Sequence, residues 1–255
     1  MLYFCIYPFY LLGIVLIVLT QPRIIFLKPQ KVAGTSFEIA LSKFADETSI
    51  ITPITEEDEI TRKSLGFRGP QNFKMNNLEI VQSICSLTRK DIINFQRPKK
   101  FWNHISAKLA KKRLGASTWT QSTKISIVRN PFDMAVSRYF WSRKPIKWSA
   151  EDFENFCITN KQLLQQNLNQ YQIDGEDVID LYIKYEDIHN DLNKLEKKFP
   201  QLKGLANLFS QIKAKGQYRP REASTSEVFA NAPKAKQIIA QTCSFEISKF
   251  GYVCP

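Results

Sequence analysis

Acidic residues are scarce in this chain: 24 Asp+Glu stand against 36 Lys+Arg in 255 residues, a formal net charge of +12. Between Asp91 and Asp133 there are none, while the same stretch carries Arg97, Lys99, Lys100, Lys108, Lys111, Lys112, Arg113, Lys124 and Arg129. Solvated surfaces usually mix both signs. The deficit therefore points to an anionic partner: a nucleotide, a polyanion, nucleic acid or a membrane surface. Lys108–Arg113 alone reads equally well as a solvated helix face, and a second basic group follows at Lys213, Lys215, Arg219 and Arg221. Cysteine is sparse and odd in number, five in all; this excludes a small disulfide scaffold, fits a reducing compartment and offers no zinc-like spacing. Repeats, low-complexity tracts and interdomain linkers are also missing. Disorder is excluded by the 44% hydrophobic content, which gives the chain apolar surface to offset its ordering entropy. The length suits one large domain, or two small ones at most.

Charge is missing from the first twenty residues as well. Leu2 to Thr20 is rich in Leu, Ile, Val, Phe and Tyr, interrupted only by Pro8 and Gly13. This is close to the roughly 20 residues that span a bilayer as a helix. No Lys or Arg precedes the run and Leu-Thr-Gln-Pro makes a poor cleavage site, so a signal peptide is disfavoured. Arg23, Lys28 and Lys31 follow it. Residues 2–20 are accordingly expected to be a single-pass membrane anchor or a hydrophobic leader, with the domain over 22–255 on the cytoplasmic side by the positive-inside rule.

What is present reads as an alternation of strands and helices. Ile24–Leu27, Ile125–Val128 and Val178–Tyr185 have the apolar density or alternation of buried strands. Helical patterns follow each: one opening at Thr35, one from Pro131 to about Trp141 behind an Asn130 cap, and one carrying Leu192, Leu195 and Phe199 on a single face. Further helices are expected over Leu78–Leu87, over Ser106–Leu114 with Gly115 as its stop, after Ser149, where Asp152 completes a capping box, and over Pro233–Phe250. Residues 46–75 read as a polar excursion. Such alternation predicts an α/β fold, a three-layer sandwich with a central parallel sheet flanked by helices.

Two strand-to-helix turns carry the chemistry. In the first, Lys31-Val32-Ala33-Gly34-Thr35-Ser36, backbone N–H groups at a helix start can converge on an anion. Gly34 permits close approach, Thr35 and Ser36 add hydroxyls, and Lys31 adds a point charge. Walker A is absent, because Lys31 precedes Gly34 and no earlier Gly exists. Taken alone, this loop also reads as an ordinary turn. In the second, Arg129 leaves its strand at the carboxyl end, where open α/β sheets bind ligands. Ser137 lies about two helical turns later. Arg129 and Ser137 could hold a second phosphate through the guanidinium fork, or Arg129 could form a structural ion pair with Asp133.

The loop at 31–36 resembles the K-[TS]-[AG]-[GS]-T-[ST] element of sulfotransferases that use 3′-phosphoadenosine 5′-phosphosulfate. Val128–Asp133 with Ser137-Arg138-Tyr139 resembles that family's 3′-phosphate motif. Phe101-Trp102-Asn103-His104 is similar to the F-x-N-H segment of its carbohydrate branch, which includes heparan sulfate 2-O-sulfotransferases and bacterial relatives. Asp180–Asp187 and Phe245–Tyr252 also resemble this family, so the likeness covers about residues 24–252. One departure is Gln30, where the family commonly has Pro directly before the Lys.

The resemblance implies a P-loop-like fold and transfer of a sulfuryl group from that co-substrate to a carbohydrate or glycan hydroxyl, without metal and without nucleic acid. Lys31 would neutralise the departing 5′-phosphate oxygen, and residues 32–36 would cradle the 5′ end. Arg129 and Ser137 would hold the 3′-phosphate. His104 would be the general base, with Glu38 as the substitute. Tyr218, Arg219 and Arg221 would close over the nucleotide or meet an acidic acceptor. His104 also reads as a helix-start or core histidine, and His189 as a helix N-terminal surface residue. Two other classes remain in view: a P-loop kinase, and a non-enzymatic basic protein that binds polyanions.

Overall fold

The computed structural model describes residues 16–82, 99–102, 104–144, 147–212, 219–220 and 222–255. Its centre is a five-stranded sheet in the order β3-β1-β2-β4-β7, made of β1 Leu16–Leu19, β2 Ile24–Leu27, β3 Ile50–Ile51, β4 Thr123–Val128 and β7 Leu181–Lys184. A separate two-stranded ribbon joins β5 Gln172–Ile173 to β6 Glu176–Asp177. The expected parallel sheet holds for β2, β4 and β7, which pair in parallel. It fails at β1, which runs antiparallel to both β2 and β3. The sheet is thus mostly parallel, with one reversed strand.

The side chains of β2 show how it is held. Ile24 and Phe26 enter one core with Phe37, Ile39, Ile125, Ile127 and Leu192, and Ile25 and Leu27 enter another with Phe101, Ile105, Ala110 and Trp119. Alternate residues of a strand face opposite sides, so a strand buried on both faces must be apolar throughout, as Ile-Ile-Phe-Leu is. The helices Gly34–Ser42, Ile188–Lys198 and Leu205–Gln211 cover the first face, and Ala107–Leu114 and Ala116–Gln121 the second. A third apolar cluster joins Pro131–Arg143 to Ala150–Thr159, Thr225–Asn231 and Pro233–Thr242.

Three expectations change. The apolar run at 2–20 ends in β1: Leu16, Ile17, Val18 and Leu19 are buried sheet residues, paired residue by residue with β2. Among the described residues no helix is long and apolar enough to cross a membrane. The membrane anchor, and the single-pass localisation built on it, are thereby overturned; residues 2–15 lie outside the described residues. The excursion at 46–75 holds β3 and a helix, Glu56–Ser64. The final helix is two, Pro233–Thr242 and Ser244–Phe250, broken at Cys243, whose ψ of 35° leaves the helical range. Asn130 caps its helix as expected, accepting from the backbone N–H of Phe132. Ser149 accepts from the Asp152 N–H, but the Asp152 carboxylate accepts from the Tyr139 hydroxyl rather than completing a capping box. Ser106, read as the first helical residue, is the cap of Ala107–Leu114 and accepts from the Leu109 N–H. The helix expected over Leu78–Leu87 is seen as Asn77–Gln82, and its remainder lies outside the described residues.

Candidate functional site

The loop that leaves β2 is sharply folded. Lys31 and Ala33 both adopt positive φ, 62° and 58°, a conformation that non-glycine residues rarely hold. The second turns the chain into the helix Gly34–Ser42, which starts with no side-chain cap. The first N–H groups of a helix have no intrahelical partner and carry its positive dipole end. Here they belong to Gly34, Thr35 and Ser36, at the carboxyl end of a parallel strand.

Beneath this helix start lies a chain of charges that sequence reasoning missed. The Lys28 ammonium donates to Thr35 Oγ1 at 2.9 Å and to Glu38 Oε2 at 3.1 Å. Arg62, from the helix in the supposed excursion, donates to Glu38 Oε1 at 2.7 Å and to both oxygens of Glu59 at 2.9 and 3.1 Å. Lys28 is 4% exposed, and Glu38 and Arg62 are 0% exposed. Burial pushes the Glu38 carboxyl above its ordinary range, with Lys28 and Arg62 opposing the rise. Glu38 is sealed from solvent with both oxygens engaged, which leaves it unable to meet an acceptor hydroxyl as the substitute base. Gly34 is required by this arrangement: a Cβ there would stand 2.8 Å from Lys28 Cγ. The available signal was a Lys and a Glu flanking a Gly-containing loop.

His104 is tied to the same residue. Its Nδ1 lies 2.8 Å from the Lys28 carbonyl oxygen. A carbonyl only accepts, so Nδ1 carries the proton, and in the neutral ring Nε2 is the acceptor. Burial, with the charges of Lys28 and Arg138 adding to it, pushes the imidazole down to about 3, against the backbone bond, which acts upward. The ring is therefore neutral at physiological pH. Gln170 Nε2 donates to the His104 carbonyl at 2.9 Å, fixing a residue whose φ is 52°.

Arg129 leaves the end of β4 and is largely committed. Nε donates to Asp133 at 2.7 Å, Nη1 donates to the Lys31 carbonyl at 2.7 Å, and the guanidinium lies 4.2 Å from the Tyr185 ring centroid. Asp133 also receives Arg219 and Thr225, each at 2.6 Å. Burial acts upward on the Asp133 carboxyl, but Arg129, Thr225 and Arg219 outweigh it and hold the group below its usual range. The structural ion pair weighed for Arg129 is present, and it aims the side chain at the loop rather than away from it. Of the five guanidinium N–H donors, those toward Asp133 and Lys31 are used on the protein. Ser137 lies on the same helix as Asp133, half-buried. The Lys31 ammonium sits 5.1 Å from the Trp141 ring centroid.

Arg138 supports the loop from below. It donates to Gln30 Oε1 at 3.2 Å and Asn167 Oδ1 at 3.1 Å, and Asn167 in turn bridges the Gln30 backbone N–H and carbonyl. Burial lowers its guanidinium to about 10, so it stays charged. Gln30, the departure from the resembled motif, thus has a defined place. A cleft of about 500 Å³ opens beside Ala33, lined also by Tyr185, Glu186, Asp187, Ile188, His189 and Phe209.

No family model, curated protein or solved structure matches the chain. The site therefore rests on its own geometry. Lys31, Val32, Ala33, Gly34, Thr35, Ser36, Arg129 and His104 gather around the carboxyl ends of β2 and β4, and Lys28, Arg138, Tyr185 and Arg219 join them. Tyr218 and Arg221 lie outside the described residues. Lys108 reaches Asp174 in an exposed pair, and Arg113 stacks on Trp102 at 4.4 Å, so both of these charges are engaged on the protein.

Proposed function

We propose that the chain is a sulfotransferase of P-loop-like architecture that moves a sulfuryl group from 3′-phosphoadenosine 5′-phosphosulfate to a carbohydrate hydroxyl. The observation that carries this reading is the bond from Arg129 Nη1 to the Lys31 carbonyl at 2.7 Å. It joins the two anion motifs into one surface at the ends of neighbouring parallel strands. A donor with phosphates at both ends of its ribose needs two such sites a few ångströms apart, whereas a single phosphate loop would serve ATP equally well. The cleft beside Ala33 has room for a nucleoside and offers Tyr185, His189 and Phe209 as ring faces.

Sulfuryl transfer passes through a loose, anionic, in-line transition state, so by analogy with phosphoryl transfer, positioning and charge stabilisation dominate. The acceptor oxygen attacks sulfur as the bond from sulfur to the 5′-phosphate oxygen breaks. The acceptor proton passes to His104 Nε2, and adenosine 3′,5′-bisphosphate leaves. Lys31 and the N–H groups of Gly34, Thr35 and Ser36 neutralise the charge that grows on the departing oxygen, while Arg129 and Ser137 hold the 3′-phosphate. A resting pKa near 3, depressed first by burial and then by the charges of Lys28 and Arg138, makes a weak base, and a bound polyanion would offset only the charge part of that depression.

Transfer of labelled sulfate from the donor to a panel of glycans tests the reading, together with binding of adenosine 3′,5′-bisphosphate without Mg²⁺. His104→Ala should bind the bisphosphate and fail to turn over. Binding confined to ATP with Mg²⁺ would replace the reading with a kinase. Polyanion binding untouched by Lys31→Ala and Arg129→Ala, with no transfer, would replace it with a non-enzymatic basic protein.

A further inference from the structure

We infer that Lys28 is a positioning residue of the anion site, which acts by fixing the Thr35 hydroxyl as a hydrogen-bond donor toward the bound anion; this rests on the proposed reading of the loop at 31–36. A threonine hydroxyl has one proton and two lone pairs. Left to itself in water it rotates, and two of its three directions present a lone pair, which repels an anionic oxygen. Lys28 removes that choice. Its ammonium has no acceptor capacity, so the 2.9 Å contact with Thr35 Oγ1 occupies a lone pair, and the hydroxyl proton must point elsewhere. Among the described residues no bond takes that proton. Thr35 is the second residue of a helix that begins with no side-chain cap, so its proton joins N–H groups already directed at the same space.

The remainder of the buried chain holds Lys28 in this role. Glu38 takes its second contact at 3.1 Å, and Arg62 fixes Glu38 from the opposite side at 2.7 Å. Gly34 leaves room for the methylene stem, which passes where a Cβ would stand. At 4% exposure Lys28 cannot swing out to meet ligand as a surface lysine would. Its charge reaches the anion through the Thr35 hydroxyl, as a donor polarised by a cation, and hydrogen bonds in such chains strengthen one another.

The test is a double-mutant cycle on Lys28→Met and Thr35→Val, read as affinity for adenosine 3′,5′-bisphosphate and, separately, for inorganic pyrophosphate. Each single variant should lose about tenfold or more, the worth of one hydrogen bond to a charged group. The double variant should lose no more than about threefold beyond the weaker single, because both remove the same oriented proton. Losses that multiply would overturn the inference, since Lys28 would then act on the anion independently. Thr35→Ser, which keeps the hydroxyl, should bind within about threefold of the unaltered protein. Should Lys28→Met fail to fold, Thr35→Val decides alone: affinity unchanged from the unaltered protein refutes the proposal. Pyrophosphate binding without bisphosphate binding would remove the sulfotransferase reading while leaving the cycle intact; binding of neither would remove both.

Discussion

Replacing Arg62 with Met should be among the most costly single changes in this domain. The side chain is fully buried and holds two carboxylates, Glu38 through Nη2 at 2.7 Å and both oxygens of Glu59 through Nη1 at 2.9 and 3.1 Å. Met fills much of the same volume, so little of the loss comes from a cavity. The cost comes from Glu38, left buried with Lys28 as its remaining cation. Breaking a buried pair by removing one partner costs about 3–5 kcal/mol. For a domain of this size each kcal/mol moves Tm by about 2–4 °C, so Tm should fall by roughly 6–20 °C. Urea unfolding at pH 7.5, with both midpoint and slope recorded, measures the loss. Glu59→Gln is the comparison, because that carboxyl is 24% exposed, its loss strands no buried carboxylate, and the amide oxygen can still accept from the Ile54 N–H and from Arg62. Adding Glu38→Gln to Arg62→Met removes the stranded charge and should lose clearly less than the two single losses together. If Arg62→Met costs no more than Glu59→Gln, the Lys28–Glu38–Arg62 chain is not a buried unit and the reasoning fails.

Gly34→Ala should lower stability by about 1–3 kcal/mol, the usual cost of overpacking, and weaken bisphosphate binding, because its methyl would displace the Lys28 stem; calorimetric titration and thermal unfolding together read both effects. His104 is held at about 3, below its unfolded value, so the unfolded chain binds more protons between pH 6.5 and 3. Its contribution to stability should fall as pH drops through that window, by at most about 1.4 kcal/mol per pH unit. His104→Gln should remove that contribution, so in unfolding experiments the stability at pH 7 minus that at pH 5 should be smaller in the variant than in the unaltered protein. Glu246 has the opposite sign: burial raises it to about 7, so it favours the fold at low pH and its contribution is lost as pH rises from about 4.5 through 7. Glu246→Gln should therefore stabilise the protein more at pH 8 than at pH 5. Between pH 4.5 and 6.5 the two slopes oppose each other, so the separate variants, not the unaltered protein, reveal them.

The sheet was legible wherever its strands are apolar runs bounded by turns. Ile24–Leu27 and Ile125–Val128 are buried on both faces and must be written in apolar residues. The same logic misled at β1: Leu-Ile-Val-Leu continues an uncharged run, and a doubly buried strand and part of a membrane helix share one composition. Glu56–Ser64 escaped because its inward face is charged. It buries Asp58 and Arg62, so the apolar period that marks an amphipathic helix is missing. Lys28 escaped for a related reason: a lysine just past a strand reads as a solvated end, and only the fold reveals Glu38 opposite it. Arg129 was located at its strand end and its pair with Asp133, four residues on, was among the readings weighed, but its engagement with Lys31 and Tyr185 depends on contacts distant in sequence. The break at Cys243 has neither Pro nor Gly to announce it.

The reversed strand β1 has a practical consequence. A protein chemist meeting an uncharged leader would trim the chain to begin near Pro22. That cut would remove β1 from between β2 and β3. It would forfeit four buried side chains, each worth about 1.5–3 kcal/mol, and leave β3 without its partner. More seriously, β2 would become an outer strand with a free row of N–H and C=O groups, and such edges recruit other chains. Because β2 delivers the loop at Lys31–Ser36, the trimmed protein would aggregate through the strand that presents the proposed anion site. Soluble yield and light scattering of chains beginning at residue 1 and at residue 22 would show the difference directly.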